Sequence, residues 1–156
     1  MTGMEAAGQF VDTLEAAGIP YMVVGALSSS LYGIARSTYD VDFVVSASAD
    51  QIQRALSQLG TDFLPESQLT FEMKTGTTRR VIKIRDSSFV IELFLLSHDP
   101  FDIERFQRKV RVNLAAMDRM AFVPTAEDVV IMKLQWGRSK DLDDVRGVIG
   151  ISSSGQ

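Results

Sequence analysis

"VVGALSSSLYGIARSTYDVDFVV", Val23 to Val45, is the stretch on which the reading of this chain turns. It runs from a short apolar strand through a glycine and a serine-rich segment to a second apolar strand. That second strand opens with two carboxylates, Asp40 and Asp42. Side chains alternate along a strand, so Asp40 and Asp42 share one face while Val41 and Phe43 share the other. Two carboxylates that close repel each other unless solvent or a cation stands between them. Hard oxygen ligands in such a pair suit Mg²⁺ or Mn²⁺, which bind through one or two carboxylates plus substrate phosphates. A strand whose polar face simply meets water has the same pattern, so the pair alone leaves both readings open.

Two neighbouring features bear on the choice. Gly25 ends the first strand and is followed by "ALSSS". A strand–glycine–helix turn presents backbone N–H groups at a helix N-terminus, which is a ready anion site. Ser28, Ser29 and Ser30 either add hydroxyl donors there or are solvated surface. The second feature is Glu92, in the almost wholly apolar run "FVIELFLL". An unpaired carboxylate is costly to bury, so Glu92 needs a partner. Either a metal shared with Asp40 and Asp42 supplies one, or Lys83 or Arg85 on the neighbouring strand does.

The rest of the chain bounds the answer. Its 156 residues suit one compact domain, expected over 1–150, with the polar end 151–156 disordered or truncated. A net charge of −4 gives no general attraction to nucleic acid or anionic membrane. The absence of cysteine excludes disulfides, thiolate metal sites and thiol nucleophiles. No apolar run approaches the roughly 20 residues of a membrane span, and the start lacks the blocks of a signal peptide. A soluble, cytoplasmic protein with no membrane partner is the expectation.

The expected elements alternate. A helix covers about Glu5 to Ala17, ended by Gly18. Strands follow over Tyr21–Val24 and "VDFVV", with a short helix over "ALSSSLYG" between them. Ser48 caps a helix over "ADQIQRALSQLG". Then come three β-rich runs, "LTFEMKTG", "RRVIKIRD" and "SFVIELFLL", the first two a hairpin around "TGTT". Beyond them "FDIERFQRKV" reads as a helix and "MAFVP" as a short edge strand. "TAEDVVIMKLQWG" is a helix opened by a capping box of Thr125 and Asp128, and "KDLDDVRGVI" is a last helix. The fold class is α/β (α+β): a mixed β-sheet with helices packed on it.

The Val23–Val45 block resembles the signature of the nucleotidyltransferase superfamily that includes DNA polymerase β: an apolar strand, a glycine turn, a short helix, then Asp-x-Asp on the next strand. Glycine followed by Arg-x-Thr-x-Asp-x-Asp, with the later "PTAEDVVIMKLQWGRSKDLDDV", looks like the small bacterial and archaeal branch with AbiEii-type relatives. The likeness covers about Tyr21 to Val148. It implies transfer of a nucleoside monophosphate from an NTP to a hydroxyl acceptor (a protein, an RNA or a small molecule), with release of pyrophosphate. It also implies two Mg²⁺ or Mn²⁺ ions held by Asp40, Asp42 and Glu92, with Glu92 helping to take the acceptor's proton. Gly25, Ala26 and Ser28 would lie at the phosphates, with Arg36, Thr38 and Lys133 as further nucleotide contacts. Ala26 stands where many relatives have Gly or Ser, and Glu92 is longer than the Asp often found there. The alternative is a weak or inactive module of the same fold that binds a protein partner, as in a toxin–antitoxin pair.

Other residues have blander readings. Lys133 lies on the apolar side of its helix, reaching an anion or snorkelling at a core edge. Arg138, Lys140, Asp141 and Asp144 are expected to tie the last helices together. His98 reads as a turn residue, and Trp136 and the phenylalanines mostly as core. "RRVIKIR", Arg79 to Arg85, presents either a basic face to an acceptor or a half-solvated strand.

Overall fold

The computed structural model describes residues 1–25, 40–67, 70–72 and 77–136; the side chains of 70–72, 133, 135 and 136 lie outside that description. The helices expected over "ALSSSLYG" and "KDLDDVRGVI" also fall outside it.

Helix α1 spans Gly3–Ala16 and begins earlier than the apolar periodicity suggests, because Thr2 and Glu5 form a capping box. The Glu5 amide donates to Thr2 Oγ1 at 3.1 Å, and the Thr2 amide to Glu5 Oε2 at 2.9 Å. Its buried face is Ala6, Ala7, Phe10, Val11 and Leu14. Gly18, at φ +68°, turns the chain into β1, Tyr21–Val24. β2 is Asp40–Val45. Helix α2, Ala49–Ser57, carries the expected Ser48 cap, completed as a box by Gln51.

Four more strands follow: β3 (Phe63–Pro65), β4 (Thr70–Glu72), β5 (Thr77–Ile84) and β6 (Val90–Leu95). β4 and β5 pair antiparallel, as the hairpin reading requires; β3 is an addition the sequence pattern did not reveal. The six strands form one sheet ordered β1-β2-β6-β5, with β4 and β3 one after the other along the outer edge of β5. β2 and β6 run parallel and every other pair antiparallel, so the sheet is mixed.

One face of this sheet is core. Val41, Phe43 and Val45 of β2, with Ile91 and Leu93 of β6, are packed with the buried faces of α1 and α2. The Phe10 and Phe43 rings meet edge to face, centroids 4.9 Å apart.

The second half of the chain corrects the sequence reading. Helix α3 covers Pro100–Gln107, capped by Asp99, and stops at Arg108 instead of running on to Val110. Val110–Leu114 is a strand, β7, paired antiparallel with β8, Arg119–Val123. The helical pattern of "FDIERFQRKV" ran into this strand because Ile103, Phe106 and Val110 fall at helical spacing, while the period-two alternation of Val110, Val112 and Leu114 with polar residues belongs to the strand. The β7–β8 pair is tied to α1 by Arg119, whose Nε and Nη2 donate to the two carboxylate oxygens of Asp12, each at 2.9 Å. Helix α4 then runs over Ala126–Trp136. None of the described helices is long and apolar enough to cross a membrane.

α4 is fastened at its first turn. Thr125 Oγ1 accepts from the Asp128 amide at 3.2 Å, half of the expected box. The Asp128 carboxylate is turned to Arg108, accepting from Nε at 3.1 Å and Nη2 at 2.8 Å. Asp128 is only 2% exposed. Hydrogen bonds from Arg108 hold its carboxyl below the usual carboxylate range, against the opposing effect of burial. A depressed carboxyl contributes stability above its unfolded pKa and loses it as pH falls through the folded one. Asp128→Asn is therefore expected to lower Tm by roughly 5 °C at pH 7. The deficit should shrink below about pH 4, which melts of both proteins across pH 3 to 7 would check.

Candidate functional site

The register of the sheet decides where the acidic residues lie. Asp42 stands opposite Glu92 on β6 and opposite Val24 on β1, while Asp40 stands opposite Val90. Residues paired across a ladder point to the same face. Asp40, Asp42 and Glu92 therefore share the face turned away from the α1–α2 core. All three are half-buried, between the fully buried Val41, Phe43, Ile91 and Leu93. Adjacent strands lie about 4.8 Å apart, so Asp42 and Glu92 leave the sheet as neighbours.

Gly25 closes this arrangement on the β1 side. Its φ is +73°, a conformation side chains rarely adopt. A Cβ there would collide with Asp42 Oδ2 and lie 3.2 Å from Asp42 Cγ. The carboxylate of Asp42 is thus seated directly against the backbone at the end of β1. Next to it on the same face is a second apolar cluster of Met22, Val24 and Phe106, with Val44, Leu96, Phe122 and Met132 packed against it. α4 reaches this flank through Met132, the residue before Lys133.

Glu92 has a protein partner, but not the one expected. Arg79 Nη1 donates to Glu92 Oε1 at 3.2 Å, both side chains being partly exposed (31% and 22%). Val81 lies opposite Glu92, so Arg79, two residues along β5 on the same face, reaches it on the diagonal. Lys83 is drawn instead to Glu66 at 3.2 Å, and Arg85 donates to the carbonyl of Thr61 at 3.3 and 3.1 Å. Arg80 emerges on the core side and donates to the Glu66 carbonyl at 2.9 Å and Gln53 Oε1 at 3.0 Å. Every basic residue of "RRVIKIR" thus has a hydrogen-bond or ion-pair partner within the chain.

The ion pair joins Glu92 to β5, which lies on the opposite side of β6 from β2. Among the described residues no three carboxylate or histidine side chains are gathered closely enough to hold a metal ion. Asp40 and Asp42 do suit a divalent cation by donor chemistry and by their shared face. Glu92, bonded to Arg79, is not gathered with them. Ala26, Ser28, Arg36 and Thr38 lie outside the described residues, as does the side chain of Lys133, whose backbone is in α4. His98 is exposed in the turn before α3, as expected of a turn residue. Phe101, at 66% exposure, departs from the core reading of the phenylalanines. Arg79 was legible only as part of a basic strand; a β5–β6 hairpin register would have placed it diagonal to Glu92.

The same architecture recurs in solved structures. The lincosamide antibiotic adenylyltransferase LnuA, in a lincomycin-bound structure, is similar over 92% of this chain and 94% of its own, with a TM-score of 0.63 and 15% identity. The fold is a nucleotidyltransferase fold. An antigenic nucleotidyltransferase-like protein from Paracoccidioides brasiliensis is similar over 96% of this chain and 74% of its own, at TM-score 0.58 and 15% identity. JHP933 from Helicobacter pylori matches 90% of this chain and 62% of its own, at TM-score 0.55 and 15% identity. At such identity the likeness establishes the nucleotidyltransferase fold and leaves the chemistry to the residues. No family model matches the chain, and no curated protein matches it.

Gly25→Ala is expected to destabilise the protein by about 1–3 kcal/mol, from backbone strain and the collision with Asp42. In an Asp42→Ala background the same change should cost less, since only the strain remains. Thermal or denaturant melts of the four proteins would show it. Equal costs in both backgrounds would contradict the close approach.

Proposed function

We propose that this chain is a metal-dependent nucleotidyltransferase. It moves a nucleoside monophosphate from an NTP to a hydroxyl on an acceptor, which is a protein, an RNA or a small molecule, and releases pyrophosphate. The observation that carries the reading is the seat of Asp42, with Asp40 beside it on the strand, Glu92 in register across the ladder and Gly25 against its carboxylate.

Each residue has a physical task in this reading. Asp40 and Asp42 hold one or two Mg²⁺ or Mn²⁺ ions through their carboxylate oxygens, and Glu92 completes the set. Such ions, when bound, polarise the α-phosphate and neutralise the charge of the leaving pyrophosphate. Gly25 brings the chain close to the carboxylates without a side chain in the way, and the following Ala26 and Ser28 offer donors to the β- and γ-phosphates. Arg36, Thr38 and Lys133 are assigned to the nucleotide by the sequence resemblance. Glu92 Oε accepts the proton of the attacking hydroxyl. The apolar cluster around Val24 and Phe106 keeps one flank of the carboxylates away from water, which strengthens their electrostatics.

One observation favours a second reading. Glu92 is engaged by Arg79, as expected of a catalytically weak member that keeps the fold and works through a protein partner. A toxin–antitoxin pair of the AbiEii type is one such setting.

Thermal melts with each NTP, with and without Mg²⁺ or Mn²⁺, separate the two readings. Ligand at 100 times its Kd adds about 2.7 kcal/mol, or roughly 5–10 °C for a domain of this size. A metal-dependent shift that disappears in Asp40→Asn/Asp42→Asn is the expected result. No shift with any NTP, in a protein that melts cooperatively, would favour the partner-binding module.

A further inference from the structure

We propose that Arg79 is a positioning residue that competes with the cation for Glu92, holding the third carboxylate on the β5 side of the site until a divalent ion draws it across to β2. The proposal rests on the transfer-site reading above and deepens it by naming a control on the same site.

Three features of the sheet carry the inference. The first is direction. β2 and β5 flank β6 on opposite sides. Glu92 faces Asp42 on one flank and Val81 on the other, with Arg79 diagonal to it beyond Val81. A carboxylate bonded to Arg79 is tied to the β5 flank, and no trio of ligands is gathered among the described residues. The second feature is charge. A carboxylate in the mostly apolar strand β6 needs a partner, and the Arg79 guanidinium on the same face gives Glu92 one.

The third feature is how the pair is made. Arg79 bonds Glu92 through Nη1 alone, not through the two-pronged geometry that makes Arg–carboxylate pairs strong. Its Nε is buried and has no hydrogen-bond partner among the described residues. The contrast is Arg108, which grips Asp128 through Nε and Nη2 together. A single-pronged, partly exposed pair is weak enough for a divalent ion to displace, and a buried ion pair in its place would lock the site shut. Turning Glu92 from Arg79 to the cation exchanges one favourable contact for another, so the movement costs little.

A double-mutant cycle read by Mn²⁺ binding tests this directly. Wild type, Arg79→Met, Glu92→Gln and the double mutant are titrated with Mn²⁺ alone, by electron paramagnetic resonance or calorimetry, after a melt confirms that each is folded. Arg79→Gln serves as the second variant if Arg79→Met fails to fold. Loss of Arg79 is expected to tighten Mn²⁺ about fivefold where Glu92 is present, the size of a partly exposed ion pair. In the Glu92→Gln background it should tighten Mn²⁺ little or not at all.

Equal tightening in both backgrounds overturns the proposal, because Arg79 would then act only as a distant positive charge. Looser binding in Arg79→Met also overturns it, because Arg79 would then be presenting Glu92 to the ion. Absence of Asp40- and Asp42-dependent Mn²⁺ binding in wild type and Arg79→Met alike overturns the transfer-site reading and this proposal with it. That result is distinct from wild-type binding with no coupling to Arg79, which overturns the proposal alone.

Discussion

The parallel pairing of β2 with β6 is the constraint on which the rest depends. Among the described residues it is the one parallel ladder, and it aligns Val41, Phe43 and Val45 with Ile91, Leu93 and Leu95. A strand period of two means that a slip by one residue would turn these apolar side chains out of the core and the carboxylates into it. The buried face therefore fixes the register, and the register places Asp42 beside Glu92 on the other face. The acidic constellation is a consequence of core packing; no contact among the acids themselves is needed to assemble it. Arrangements of this kind put functional groups on rigid strands, where their spacing is held within a fraction of an ångström.

Around that ladder the chain uses charge in two different ways. Arg119 with Asp12 and Arg108 with Asp128 are two-pronged pairs that tie the β7–β8 strands to α1 and the start of α4 to the end of α3. Neither involves the carboxylates of β2. The Arg79–Glu92 contact is single-pronged and lies on the face where the acids gather. The two-pronged pairs fasten elements to one another, whereas a single-pronged contact holds its carboxylate less firmly.

Much of this was legible in the sequence because periodicity and punctuation agree there. Alternation in "DVDFVV" assigned Asp40 and Asp42 to one face, and the burial pattern of β2 bears that out. Gly18, Gly25 and Ser48 marked turns and a cap for reasons that depend on local backbone chemistry alone. β3 and β7 were missed for a shared reason. Three residues carry too little alternation to register, and "VRVNL" follows a helix whose apolar spacing runs smoothly into it. The partner of Glu92 was missed for a different reason. A salt bridge was one of the two readings, but the choice among Arg79, Lys83 and Arg85 depends on cross-strand register and on Glu66 drawing Lys83 away. Such competition between distant residues leaves no trace in a local pattern.

The central claim is that Asp42, seated against Gly25, and Asp40 beside it on β2 form the place where metal-bound nucleotide sits. Anomalous diffraction from crystals grown with Mn²⁺ and a non-hydrolysable NTP tests it most directly. The account predicts an anomalous peak within coordination distance, roughly 2.2 Å, of a carboxylate oxygen of both Asp40 and Asp42, with the triphosphate running past Gly25. A fully occupied nucleotide elsewhere on the molecule, with no peak between these two carboxylates, would contradict it.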